Sequence, residues 1–392
     1  MNILLYDFLN SYIQKDLIFF LEKAGHACNS ISCTKPEDVY EDEAFMSRMR
    51  KDVEAGNYDL VLTTNFWPVI ARVCHEKDLP YVSWLFDSPP NLPKTDYMDL
   101  PCNKIFFFAR ADYEEYLAKG LDTVYYLPLA VNTERLSKIR VDHRKYGSEI
   151  SFVGKLYESM LPALKSHMND YQKGFLDAVV QAQMKIYGGY IIDDVVNEAF
   201  AESVRERYRE LSENAIQVSQ KELAWAVAAN VTHIERMTLL KLLSERHEVK
   251  LYTYELEDSE KKLIPKVRMM GPVNYMTEMP QVFKASKINL CPVLKANKSG
   301  IPLRALDIMG CGGFLLSSFQ PELYEYFEDG RECVMYSSVE EAIEKAGFYL
   351  VHEDVRKDIA GAAFEKIKRE FSYEDRIEQL ISNTEHYITH KN

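Results

Sequence analysis

Residues 299–313 read Ser-Gly-Ile-Pro-Leu-Arg-Ala-Leu-Asp-Ile-Met-Gly-Cys-Gly-Gly. A Gly-Pro turn, Gly300 and Pro302, opens a short helix, and the glycines Gly310, Gly312 and Gly313 end it before an apolar strand over 314–316. Arg304 and Asp307 lie three residues apart and so share one helix face. A helix start offers unpaired backbone N–H groups and the positive end of a dipole, which suits a phosphate. A carboxylate one or two turns further in can accept hydrogen bonds from a ribose diol. Helix start, arginine and carboxylate together make a cradle for a nucleoside diphosphate. The same spacing also fits an ordinary helix–strand unit with a glycine cap, and spacing alone does not choose between them.

Other residues can serve the same chemistry. Gly154 and Lys155 follow an apolar run over 149–153. A glycine there admits a phosphate to the backbone and the lysine supplies charge; a turn glycine with a solvated lysine reads the same way. Tyr275 follows Gly271-Pro-Val273 and can line a ligand wall or a core, and Tyr252, at a strand end, is a further candidate for that wall. Arg236 reads as a salt-bridge residue. Asp87 stands between the apolar run 81–85 and Ser88-Pro89-Pro90. A carboxylate at a strand end can take a proton from an attacking hydroxyl, although an aspartate beside prolines also suits a turn. Asn65 and Asp7 follow two other apolar runs and fall on the same, acceptor side.

The elements that must hold these residues alternate between short apolar runs and amphipathic stretches. Strands are expected over 3–6, 26–32, 60–63, 81–85, 105–108 and 124–127, with helices between them. A polar stretch, 132–148, reads as a linker, and the pattern restarts at 149. A charged, helix-rich insertion over about 158–230 interrupts it. Helix 233–246 and strands 249–254, 267–270 and 288–292 resume it, and the tail 353–387 is helical. The alternation predicts an α/β fold of two Rossmann-like domains, 1–131 and 149–370, each a parallel sheet, with residues 371–392 forming a helix that packs back toward the first domain. Two such domains face a cleft, and ligands bind at the carboxyl ends of their strands.

Composition narrows the functional classes. At 392 residues the chain suits two domains, and its formal net charge of −13 argues against non-specific nucleic-acid binding. No run of 18 apolar residues exists, so no transmembrane helix is expected. The seven cysteines form no CxxC pair and read as reduced, cytoplasmic thiols. There is no GxGxxG after the first strand and no GxxxxGK[ST], which argues against a nicotinamide enzyme and a P-loop kinase. No DxD pair follows a strand; Asp193-Asp194 falls in the helical insertion and reads as a solvated pair. Neither a cofactor nor an essential metal is expected.

The segment from Gly300 to Gly313 resembles the donor-site helix of GT-B glycosyltransferases, in particular the bacterial group related to the spore-maturation protein CgeB. Its pattern runs roughly Gly-Ile-Pro-x-Arg-x-x-Asp/Glu-x-x-x-x-Gly-Gly. Tyr81-Val-Ser-Trp-Leu-Phe-Asp-Ser-Pro89, Tyr125-Tyr-Leu-Pro-Leu-Ala-Val131 and Ser151-Phe-Val-Gly-Lys155 are similar to further motifs of that group, in the same order. The resemblance implies a nucleotide-sugar donor held by Gly154, Lys155, Tyr252, Gly271, Val273, Tyr275 and the residues Ser299, Gly300, Ile301, Pro302, Arg304 and Asp307. The loop at Gly271-Pro-Val273 would clamp the nucleobase, with Tyr275 as its aromatic. Many retaining members carry two glutamates eight positions apart. Asp307 matches the second, whereas Ser299 stands at the first and has no carboxylate.

Two functions follow from these residues. One is a metal-independent, hexosyltransferase-like glycosyltransferase with a protein or bacterial surface-glycan acceptor and Asp87 as base. The other is a degenerate nucleotide-sugar-binding scaffold, for which Ser299 is the distinguishing feature. A two-domain solute-binding protein has a similar architecture, but the amino terminus reads as a strand, not an export signal.

Overall fold

The computed structural model describes residues 1–8, 12–212, 214 and 216–389. Two parallel six-stranded sheets form the α/β frame that the alternation predicts. The first comprises β1 (Asn2–Phe8), β2 (Ala27–Cys33), β3 (Leu60–Thr64), β4 (Tyr81–Trp84), β5 (Asn103–Phe107) and β6 (Val124–Tyr126). Their order is β2-β1-β3-β4-β5-β6. The second comprises β7 (Ser148–Val153), β8 (Val249–Tyr252), β9 (Arg268–Met269), β10 (Ser286–Cys291), β11 (Leu315–Ser318) and β12 (Val334–Tyr336), in the order β12-β11-β10-β7-β8-β9. Central strands such as Tyr81–Trp84 are buried on both faces, which explains their unbroken apolar runs.

The chain divides into two compact units: Met1–Leu136 with Ser299–Leu306 and Lys366–Asn392, and Ser137–Lys298 with Asp307–Glu365. In the first unit the core forms around Leu4, Val61, Tyr81, Ile105 and Phe107, covered by Val69, Ile70 and Val73 of the helix Pro68–Glu76. The last helix, Tyr373–Thr389, is tied into this unit. Arg376 Nε donates to the Pro128 carbonyl (2.9 Å), and the Tyr373 ring stacks on Phe20 at 5.2 Å.

Two core clusters stand out among the described residues of the second unit. Ile150, Leu251, Ile288, Leu290 and Leu316 fill the sheet. A separate cluster, with Leu161, Leu176, Val204 and Val227, fills the segment between β7 and β8. That segment holds the helices Leu161–Lys165, Asp170–Gln183, Ile192–Val195, Glu198–Leu211 and Gln220–Ser244. The sequence suggests a fresh helix near 233, but one 25-residue helix runs through that position. Ser219 and Glu222 form a capping box at its start, and neither Gly nor Pro interrupts it before Ser244. The stretch 132–148, expected to be a linker, contains the short helices Thr133–Ser137 and His143–Tyr146 and the first residue of β7.

Candidate active site

In the second sheet the chain leaves β7 toward β8 on one side and reaches β10 on the other. The order therefore reverses between β7 and β10, and a ligand site is expected at their carboxyl ends. Gly154 and Lys155 follow β7 there. Gly154 N–H donates to the Tyr252 carbonyl at the end of β8 (3.1 Å). Lys155 is exposed.

The helix Gln220–Ser244 pins the loops after both strands. Buried Arg236 donates to the carbonyls of Lys155 and Pro292, and its guanidinium lies 5.2 Å from the Phe152 ring and 4.9 Å from the Tyr157 ring. Its contacts correct the salt-bridge expectation: enclosed by rings and main chain, the guanidinium gives its two terminal nitrogens to carbonyl oxygens, and its Nε has no hydrogen-bond partner among the described residues. Thr232 Oγ1 accepts from Lys295 N–H (3.0 Å). Fully buried Glu235 pairs with Lys295 Nζ at 3.0 Å. The sequence reading passed over Thr232, Glu235 and Lys295. Their only signal is the i, i+3 spacing of 232 and 235, which puts those two and Arg236 on one helix face.

The helix Leu303–Gly310 carries Asp307 into the interior, where it is 1% exposed. Tyr275 Oη donates to Asp307 Oδ1 at 2.9 Å, so two residues selected separately from the sequence meet. The loop that presents Tyr275 is built locally. Gly271 has φ +74°, the left-handed region that favours glycine. Asn274 Oδ1 accepts from Met276 N–H (3.0 Å) and Thr277 N–H (3.1 Å). Glu278 accepts from Asn274 N–H (3.0 Å), Tyr146 Oη (2.7 Å) and Lys145 Nζ (3.0 Å). These donors, the backbone N–H first, hold its carboxyl down to about 2. Gly271 and Val273 are half-buried in this loop. Tyr252 is buried as the last residue of β8, and its hydroxyl has no hydrogen-bond partner among the described residues. Burial pushes its phenol up to about 12.

The segment before that helix has a structural duty. The helix Arg110–Ala118 begins at Ala109, which provides no capping side chain. Ser299 Oγ accepts from Ala111 N–H at 2.9 Å and takes the place of that cap. Gly300 is required by close approach, since a Cβ there would lie 2.7 Å from both Ala109 Cβ and Phe108 Cε2. Ile301 is buried, and Pro302 and Arg304 are half-buried. The Pro302 carbonyl accepts from Ala305 N–H (2.9 Å) as the helix starts.

In the first sheet the order reverses between β1 and β3. Asp7 and Asn65 sit at the carboxyl ends of those strands, Asp7 within β1, which extends to Phe8, and Asn65 just past β3. Asn65 has φ +61°. Its Oδ1 accepts from Phe86 N–H (2.9 Å), and its Nδ2 donates to Asp87 Oδ2 (2.8 Å). Asp87 is exposed, and the Asn65 amide fixes one of its oxygens while the other faces no hydrogen-bond partner among the described residues. Asp193 and Asp194 are exposed, as expected of a solvated pair, and Asp193 also pairs with Lys298 at 2.8 Å. Among the described residues no three His, Cys, Asp or Glu side chains converge on a metal position. No helix among them is long and apolar enough to cross a membrane.

Residues 233–382 match the family model described as "Glycosyl transferase-like". That span includes Tyr252, Tyr275, Arg304 and Asp307. No curated protein sequence matches the chain. Among solved structures, HepE from Anabaena in complex with UDP and glucose is similar over 98% of this chain and 100% of its own, at 12% identity and a TM-score of 0.57. Sucrose-phosphate synthase from Thermosynechococcus elongatus covers 99% of both chains at 10% identity and a TM-score of 0.57. A UDP-forming trehalose-phosphate synthase from Burkholderia xenovorans covers 97% of this chain and 98% of its own, at 11% identity and a TM-score of 0.55. The fold is that of the GT-B glycosyltransferases, and the carboxy-terminal part of the chain carries a glycosyltransferase-like domain.

Proposed function

We propose that the protein transfers a sugar from a nucleoside-diphosphate donor to a hydroxyl of a protein or surface-glycan acceptor, without an essential metal. The observation that carries this reading is the Tyr275–Asp307 hydrogen bond, inside the span that matches a glycosyltransferase-like family. A ribose hydroxyl would share or replace the Tyr275 hydroxyl on Asp307, and the half-buried ring would flank the base. HepE was solved with UDP and glucose, which makes uridine nucleotides the first donors to try. Arg304, Lys155 and the start of the helix Leu303–Gly310 are assigned to the diphosphate. The acceptor oxygen bonds to the anomeric carbon, the bond from that carbon to the diphosphate oxygen breaks, and the hydroxyl proton passes to Asp87. Asn65 orients that carboxylate through its amide. The seven free cysteines suit a reducing cytoplasm.

Asp87→Asn tests the base. Turnover should fall by roughly 10²–10⁴, with nucleotide binding and melting temperature unchanged. Activity close to that of the unmodified protein would leave Asp87 as a turn residue. Activity in excess EDTA should equal that without it. A second reading, a nucleotide-sugar-binding protein without turnover, is favoured by one observation: Ser299 is engaged as a helix cap, and no carboxylate stands at that position.

A further inference from the structure

An open pocket with a cavity volume of about 280 Å³ lies within the helical segment between β7 and β8, and none of the residues assigned to the nucleotide lines it. Its volume lies just under the range of about 300–1,000 Å³ usual for small-molecule sites and suits a ligand the size of one monosaccharide. Five of its lining residues, Lys165, Ser166, Lys173, Asp177 and Asn230, carry hydrogen-bonding side chains. Leu161 and Pro162 supply a small apolar surface.

Three helices hold these groups, and buried side chains fix the helices. Leu161, Leu176, Val180, Val227 and Val231 belong to the segment's own core. Ser159 joins the lining to the long helix: its Oγ donates to the Ala226 carbonyl (2.6 Å) and accepts from Leu161 N–H (3.0 Å). Lys173 and Asp177 lie four apart on one helix face. Lys165 is ion-paired with Asp177, whereas Lys173 has no carboxylate partner among the described residues. The lining therefore carries one net positive charge on a chain whose formal charge is −13.

A ligand that fits this lining is small, rich in hydroxyls and negatively charged. The Asn230 amide and Ser166 hydroxyl both donate and accept, and the Asp177 carboxylate accepts, as a polyol requires. The exposed ring of Pro162 matches the C–H face of a pyranose. The lining has no aromatic side chain for a nucleobase to stack on and no deep apolar anchor site for a peptide. The geometry points to a binding site for an acidic pyranose, one carrying a carboxylate or a phosphate, as a unit of the acceptor glycan. Its place in catalysis rests on the transferase reading; its ligand chemistry does not.

Ligand-observed NMR titrations of the full chain test this, with methyl glucuronide, glucose 6-phosphate, methyl glucoside and inorganic phosphate, each with and without UDP. Both acidic sugars should bind about tenfold more tightly than methyl glucoside, the gain of one charge-assisted hydrogen bond at a partly exposed site. Lys173→Ala should remove that preference and leave methyl glucoside and UDP binding unchanged. Asn230→Ala should weaken all three sugars without altering UDP binding or melting temperature. Sugars that fail to bind, or Lys173→Ala with an unchanged preference, would overturn the proposal. So would inorganic phosphate binding as tightly as glucose 6-phosphate, which would mark an anion site only. Binding of glucuronide by a chain that binds no nucleotide would sink the transferase reading and leave the saccharide site standing. The glucuronide and phosphate arms decide which acidic group the site takes.

Discussion

Asp307 and Tyr275 meet in the single contact to which the proposed function assigns the donor's ribose. A carboxylate that is 1% exposed must be hydrogen-bonded to remain in the interior, and the Tyr275 hydroxyl meets that need at Oδ1. Asp307→Asn keeps an acceptor for that hydroxyl and removes the charge. If Asp307 holds the ribose diol, the variant should lose affinity for UDP much more than for its 2′-deoxy analogue, measured by calorimetry; an equal loss for both removes Asp307 from the ribose. Arg304 belongs to the same scale. Arg304→Ala should weaken UDP binding by about 1.5–3 kcal/mol, the range for a hydrogen bond to a charged group, and leave uridine binding unchanged. Matching losses for UDP and uridine would place Arg304 away from the diphosphate. The motif 300–313 showed the residue types for both roles. It showed neither the partner of Asp307, 32 positions away, nor the capping of the helix Arg110–Ala118 by Ser299, 188 positions from Ala111. Contacts of that range leave no periodic trace in a sequence.

The elements were easier to read because each has a local cause. Buried apolar runs made the central strands, and capping boxes at Asn169 and Ser219 and glycine stops at Gly56 and Gly147 made some of the helix ends. The 25-residue helix Gln220–Ser244 was misplaced because its start depends on Ser219 and Glu222, inside a segment without recognisable motifs. That helix also positions the loops after β7 and β10, through Thr232, Glu235 and Arg236. The loop 271–278 depends on a different device. Glu278 is held well below its ordinary value, so its stabilising contribution is fully present above about 4.5 and is lost as pH falls toward about 2. Melting temperature should drop through that window, and Glu278→Gln should flatten the drop. A variant with the same acid profile as the unmodified protein would show that other carboxyl groups dominate.

On the scale of the whole molecule, two parallel sheets each present the carboxyl ends of their strands at a point where strand order reverses. Asp7 and Asn65 mark that point in the first sheet, and Gly154 marks it in the second. This arrangement was foreseeable because βα alternation with short connections admits few topologies. The helical segment between β7 and β8 was foreseeable only as a departure from that alternation; its own core and its polar pocket required the packing of helices that no motif announces. The central claim is turnover of a nucleotide sugar, and release of nucleoside diphosphate without any acceptor tests it most directly. UDP-, GDP- and dTDP-sugars should be compared, together with CMP-sugars, whose leaving group has a single phosphate. At least one diphosphate donor should be hydrolysed slowly, at a rate reduced by Arg304→Ala and insensitive to EDTA. Tight nucleotide binding with no release from any of these sugars would contradict the account and leave a binding protein in its place.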